Sequence, residues 1–142
     1  MILSANHIFS ENQAITATAI SANVMRFPAN DIVPYEAAAI LRNLGPGNDM
    51  PFLIQVTQGF NNLTSLTFDI VAADDDALTV NQVILSTSGT VALARLTAGF
   101  RPPMTRIMPD GVMGPVLGLR YTVAGTAPTL GRVSAALATE IS

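Results

Sequence analysis

The chain has 142 residues, the size of a single domain that can bury a hydrophobic core of its own. Apolar residues make up 49% of it and charged residues only 12%, so we expect partners to cover much of the surface. The lack of cysteine excludes disulfides, thiolate zinc sites and a cysteine nucleophile, and a net charge of −3 without a basic cluster argues against nucleic-acid binding. No apolar run approaches the roughly 20 residues of a membrane helix, and the N-terminus does not resemble a secretory signal. We therefore expect a protein that is neither membrane-bound nor exported.

The first half of the sequence predicts strands interrupted by one helix. Residues 1–10 carry hydrophobic side chains without clear periodicity, and we expect an edge strand or an ordered arm there. Residues 15–20 alternate strictly and residues 24–27 can extend a strand. An apolar stripe with helical spacing predicts one or two helical turns between residues 31 and 45, within a long connection.

The middle of the chain predicts further short strands. By their alternation of apolar and polar residues, these strands are residues 52–57, 65–71, 79–86 and 91–96. We expect Asp74-Asp75-Asp76 to form a loop and Ser88-Gly89-Thr90 to join the last two strands. Glycine and proline break the pattern from 98 to 118, where only Met104–Met108 is suited to pair as a short strand.

The last third shows the clearest alternation. Large apolar residues occupy every second position from Leu117 to Ala124, and a second alternating run covers residues 132–137. Because the connector 125–131 contains glycine and proline, we predict a β-hairpin with one apolar face. About eight or nine short strands in total indicate an all-β sandwich or barrel, in one domain that covers residues 1–142.

No group of residues predicts catalysis, and we expect neither a cofactor nor a metal. His7 is the only histidine, which argues against a metal site or a Ser-His-Asp triad. The run Asp74–Asp76 has the carboxylates that calcium prefers, but a solvated loop is the favoured interpretation. The methionines at 104, 108 and 113 suit either adaptable core packing or a surface that moulds to a partner.

Many short motifs, in order and spacing, resemble the small cement (decoration) proteins of tailed bacteriophages, typified by the one on the Bordetella phage capsid. The stretches that carry the resemblance are Met1–Leu3, Phe9-Ser10, Gln13–Thr18, Arg42–Gly47, Gln55–Thr57, Thr64–Thr67, Ala98–Arg101, Leu119–Thr126 and Gly131–Ala135. Residues 27–40 and 101–116 depart from the family pattern, the first by extra length and the second by extra proline and methionine.

The resemblance implies a jelly-roll β-sandwich with one short helix in a long connection. It further implies a virion protein, made in the bacterial cytoplasm, that sits on the outer capsid surface and clamps neighbouring major capsid subunits. The partners would be the phage major capsid protein and further copies of the chain itself, as a homodimer or a trimer.

Two other functions remain open. A carbohydrate- or receptor-binding jelly roll would stack sugars on aromatic rings, but tryptophan is absent and the only tyrosines are Tyr35 and Tyr121, the latter on the predicted core face. A cupin-like enzyme would need several histidine and carboxylate ligands for its metal.

We predict that the capsid or oligomer interface combines N-terminal hydrophobic residues with the irregular segment after residue 99. The residues are Ile2, Leu3, Phe9, Phe100, Arg101, Met104, Arg106, Met108 and Met113. Replacing Arg101 and Arg106 with alanine should weaken capsid binding without unfolding the domain, and decoration at wild-type affinity would contradict that assignment.

Overall fold

The computed structural model describes residues 3–26, 52–103 and 116–138. Within them, eight β-strands and one 3-10 turn, Leu93–Arg95, are formed. The strands are β1 (Leu3–Ala14), β2 (Ala19–Ile20), β3 (Met25–Arg26), β4 (Phe52–Gln58), β5 (Leu63–Ala73), β6 (Val83–Ala92), β7 (Val116–Gly125) and β8 (Arg132–Ala138).

The strands form two antiparallel sheets that pack face to face. One sheet has the order β1-β8-β4, and the other has the order β2-β7-β5-β6, with β3 also paired to β7. Pairing is nested along the chain, because β1 pairs with β8, β2 and β3 pair with β7, and β5 pairs with β6. Hydrogen bonds from Val56 N–H to the Phe100 carbonyl and from Gly99 N–H to the Val56 carbonyl add a segment beside β4. This nesting is that of a jelly roll, and the predicted all-β sandwich is confirmed.

The main core lies between the two sheets and is formed by the apolar residues that occupy every second position along the strands. On β7, Leu117, Leu119 and Tyr121 alternate with smaller or polar residues and are fully buried, as the sequence predicts. The rings of Phe68 and Tyr121 meet edge to face, with 5.9 Å between their centroids. Further members of the core are Ile54, Val56, Leu63, Leu66, Ile70, Val91, Leu96, Val133, Ala135 and Leu137.

A second, smaller cluster lies on the opposite face of the five-stranded sheet. This outer cluster consists of Val71, Ala73, Leu78 and Val116, with Ile20 and Val24 packed against it. Gly118 provides the space for it, because a Cβ there would lie 2.8 Å from Leu78 Cδ1 and 3.0 Å from Val24 Cγ1. Both faces of β5 are therefore buried along most of its length.

The predicted hairpin between the last two strands is wrong. Both strands exist, but β7 belongs to the five-stranded sheet and β8 to the three-stranded sheet. The connector between them crosses from one sheet to the other, held by the Asn61 side chain. Its Oδ1 accepts hydrogen bonds from the backbone N–H of Thr129 and Leu130, both at 2.9 Å. Alternation identifies a strand but not the strand with which it pairs.

The two strands predicted between residues 79 and 96 are a single strand, β6. Two residues of β6 stand opposite Phe68, so the predicted turn at Ser88-Gly89 is a β-bulge. Gly89 has φ +66, a conformation that glycine adopts without strain, and the Ser88 hydroxyl accepts a hydrogen bond from Phe68 N–H at 3.0 Å. Residues 79–81 lie in a turn before the strand, and residues 93–95 form the 3-10 turn after it.

The N-terminal region also differs from the prediction. The expected edge strand is confirmed, since β1 pairs with β8 at the edge of its sheet, but it continues to Ala14. Of the strand predicted over residues 15–20, only β2 forms, because the chain leaves one sheet at Ile15 and joins the other at Ala19. The predicted helix within residues 31–45 and the short strand Met104–Met108 lie outside the described residues.

Candidate interaction surface

Phe9, one of the predicted interface residues, is part of the main core. It is 2% exposed, and its ring stacks on Phe52 with 5.5 Å between centroids. A register shift of β1 against β8 between Ile8 and Ser10 directs Phe9 inward. The assignment of Phe9 to a contact surface is therefore corrected. Leu3 lies in β1, and the remaining predicted residues Ile2, Met104, Arg106, Met108 and Met113 lie outside the described residues.

Phe100 and Arg101 follow the 3-10 turn, beside β4. Phe100 is half-buried and packs against the main core, and the Arg95 guanidinium lies 5.3 Å from the centre of its ring. Arg101 is half-buried. Phe100 thus anchors the segment, and Arg101 follows it beside β4.

Three of the four large apolar side chains that are about half exposed among the described residues lie together, at a place where no interface was predicted. Val80, Val83 and Ile84 are 50%, 51% and 50% exposed. They lie just before and at the start of β6, which contains no charged residue. Among the described strands, none pairs with the outer edge of β6. We call these three side chains and the free backbone edge of β6 the edge surface.

An acidic loop, residues 74–82, positions the edge surface. The Asp75 carboxylate accepts hydrogen bonds from Thr79 N–H at 2.7 Å, from the Thr79 hydroxyl at 2.6 Å and from Val80 N–H at 2.9 Å. The hydrogen bond from the Thr79 side chain, followed by that from Val80, lowers the pKa of Asp75 below its usual value. Leu78, in the middle of the loop, is anchored in the outer cluster.

The other carboxylates of the acidic loop also bind protein groups. Asp74 accepts a hydrogen bond from Asn81 Nδ2 at 2.7 Å, and Asp76 pairs with the Arg26 guanidinium. Within the residues that the structure describes, no cluster of three or more histidine, aspartate or glutamate side chains is arranged to hold a metal. The three aspartates therefore fold the loop, and the arrangement offers no support for a calcium site.

Arg120 connects the start of β6 to the sheet beneath it. Its guanidinium donates a hydrogen bond to Gln82 Oε1 and lies 3.7 Å from the carboxylate of Asp69. Asp69 is buried on β5 and is the cross-strand neighbour of Arg120 on β7. Together with Leu78, this contact holds the acidic loop against the sheet at the start of β6.

A second surface feature is a shallow groove on the outer face of the three-stranded sheet. Its volume is about 150 Å³, and its walls are mainly aliphatic. At its centre Ala136 of β8 pairs with Ile8 of β1 on one side and with Leu53 of β4 on the other. Glu11 and Ser134 provide polar groups at its margin. The groove carries no group arranged for catalysis.

One buried polar network links the two sheets. The hydroxyls of Tyr121 on β7 and Ser10 on β1 lie 2.7 Å apart, and the Ser10 hydroxyl donates to Gln13 Oε1 at 2.7 Å. Burial raises the pKa of Tyr121 above its usual value, and the hydrogen bond to Ser10 partly opposes that shift. The network fixes β1 against β7 and leaves Tyr121 inaccessible to a ligand.

The edge surface was not predicted, because the strand expected over residues 79–86 carried no assignment of its place in a sheet or of its exposed side chains. The signal that points to the edge surface is the uncharged sequence of β6, since edge strands usually carry charge or proline as protection against pairing.

In the part of the chain that the structure describes, no helix is long and apolar enough to cross a membrane.

The chain was compared with protein families and with curated proteins. The model of the family described as Bbp16 matches residues 9–137, from β1 through β8. No curated protein matches the chain.

Proposed function

The chain belongs to the Bbp16 family, which carries the name of a Bordetella phage protein, and we propose that it is a structural virion protein. In this proposal it binds the outer surface of a phage capsid and stabilises contacts between major capsid subunits. The observation that carries the proposal is the family match, which covers both sheets of the sandwich. The match connects the chain with a phage protein family, in agreement with its resemblance to phage cement proteins.

The character of the surface supports this role. Only 12% of the residues are charged, and apolar side chains of the edge surface are half exposed. Exposed apolar groups that do not line an enclosed pocket are typical of surfaces that contact other proteins. The polar groups of the acidic loop, the pair of Asp69 and Arg120 and the network of Tyr121, Ser10 and Gln13 support the fold, and we expect no catalytic activity.

The mechanism we propose is mass action. A protein that binds assembled capsid but not free subunits lowers the free energy of the assembled state by its binding free energy. Because the same contact recurs over the whole shell, a modest interface at each position has a large total effect. No chemical step and no cofactor are needed.

We further propose that the bound form is a homo-oligomer, with a dimer on two-fold positions as the first choice and a trimer as the alternative. Closed symmetry lets each copy use the same contact patch, and a bridging oligomer links more capsid subunits than a monomer does. Sedimentation of the purified protein distinguishes the two states.

A carbohydrate- or receptor-binding role is the alternative function. Tyr121 is buried beneath the three-stranded sheet and bonded to Ser10, so its ring offers no platform for a sugar. Tyr35 lies outside the described residues. Specific binding on a glycan array together with no affinity for capsids would favour this alternative.

Undecorated capsids and purified protein test the proposal directly. We expect saturable co-sedimentation with the capsids and a rise in the temperature at which the capsids release their contents. Capsids that already carry a full complement of the protein are the matched control, because their sites are occupied. If the protein neither sediments with undecorated capsids nor raises that temperature, the proposed function is wrong.

A further inference from the structure

The edge surface has one property that a face-to-face contact does not explain. Val83 and Ile84 are consecutive and pair with Ala72 and Val71 of β5 without a register shift between them. Successive strand residues point to opposite faces of a sheet, yet both side chains are half exposed. A partner resting on one face of the sheet would cover only one of them. A partner that approaches the edge of β6 covers both.

The backbone of β6 determines what such a partner must be. An edge strand presents a row of N–H and C=O groups, and among the described residues no strand pairs with this row. The group that satisfies such a row is another extended segment. The register of β6 against β5 shifts at Leu85 and again at Ser88-Gly89, so the regular stretches in the first half of β6, where the apolar side chains lie, are residues 83–84 and 86–87.

Charge next to the edge restricts the partner further. The acidic loop carries Asp74, Asp75 and Asp76 with one arginine, Arg26, against them. This gives three negative charges and one positive charge, a local net charge of −2. An acidic segment would be repelled there, whereas an uncharged or basic one would not.

Resting on the proposed function, we propose that β6 accepts an extended segment of the major capsid protein as an added strand. The segment pairs through its backbone with residues 83–87 and places aliphatic side chains against Val83 and Ile84. Where it passes the acidic loop, it carries basic or uncharged residues. The five-stranded sheet thereby continues from the decorating protein into the capsid subunit.

A substitution tests the side-chain part of this proposal. V83K/I84K places charge on the edge, a device that blocks strand pairing, and the half-exposed positions accept lysine without loss of the fold. The control is L130K, because Leu130 is also 51% exposed but follows β7, roughly 30 Å away along β5. We expect V83K/I84K to bind undecorated capsids about thirtyfold more weakly and L130K to bind as wild type does.

Amide hydrogen exchange of the unmodified protein tests the backbone part. On capsid binding, amides within residues 83–87 should exchange at least about tenfold more slowly, while those of residues 126–131 stay unchanged. If the wild-type protein does not bind capsids, the proposed function fails and this inference fails with it. If it binds but V83K/I84K binds equally well, or the β6 amides gain no protection, strand addition is wrong and the capsid-binding role stands.

Discussion

The main core between the sheets and the outer cluster beyond the five-stranded sheet are closed in different ways. Strands of two sheets enclose the main core, with aromatic contacts such as Phe9 on Phe52. The outer cluster is covered by the acidic loop and by Ile20 and Val24. We infer that the main core sets the fold, whereas the outer cluster sets the position of the edge surface. The two clusters should therefore respond differently to the same substitution.

The largest effect is expected in the main core. Leu66→Ala removes a fully buried side chain from β5 and leaves a cavity between two sheets that cannot both move inward. We expect the free energy of unfolding to fall by about 4 kcal/mol, measured by urea denaturation. A loss below about 1 kcal/mol would show that the two sheets do not depend on this core.

The matched substitution in the outer cluster is Leu78→Ala. Leu78 is also buried, but it lies on a loop that can settle into the space, so we expect a loss of about 2 kcal/mol. Amide exchange should increase in residues 74–82 and remain unchanged in β8. Capsid binding should also weaken, because the loop positions Val80. Equal losses for Leu66→Ala and Leu78→Ala would contradict the comparison.

Gly118→Ala tests the close approach between the acidic loop and β7. The added Cβ would lie 2.8 Å from Leu78 Cδ1, so the leucine side chain must shift, at a cost of about 1.5 kcal/mol. The double variant L78A/G118A should lose less stability than the sum of the two single variants, because the smaller side chain leaves room for the new Cβ. Strict additivity would show that the two positions do not interact.

The smallest effect is expected for Asp75→Asn, and it depends on pH. Because the pKa of Asp75 is lowered in the fold from about 3.8, its ionised form stabilises the loop above that pH. This contribution is lost as the pH falls through the lower folded-state pKa. The difference in Tm between wild type and Asp75→Asn should be constant near neutral pH and should shrink below about pH 3.8. Thr79→Ala, which removes the hydroxyl donor, should reproduce part of the effect.

Local alternation predicted the existence of most strands and the identity of the core residues on β4, β5, β7 and β8. It did not predict their pairing, because the partner of a strand depends on contacts far away in sequence. The run at Ser88-Gly89 has turn chemistry, and the pairing of β5 with β6 on both sides of it, with the hydrogen bond from Phe68 to Ser88, shows that the strand continues through it. Phe9 was assigned to an interface because the bulge that turns it inward has no local signature.

The acidic loop illustrates the same limit at the candidate site. Its three aspartates indicated a loop, which is confirmed, but the sequence did not show that Leu78 would anchor it. Leu78 and Asn81 adopt positive φ, a conformation that leucine rarely takes. The close approach to Gly118 supports it at Leu78, and the hydrogen bond to Asp74 supports it at Asn81. The exposure of Val80 follows from that loop and the exposure of Val83 and Ile84 from the place of β6 at the edge of its sheet, and alternation indicates neither.

Cryo-electron microscopy of undecorated capsids mixed with the purified protein is the most direct test of the proposed role. We expect β-sandwich density at regular positions on the outside of the shell, bridging neighbouring capsid subunits. Shells that remain bare at saturating protein, or density confined to the interior, would contradict it.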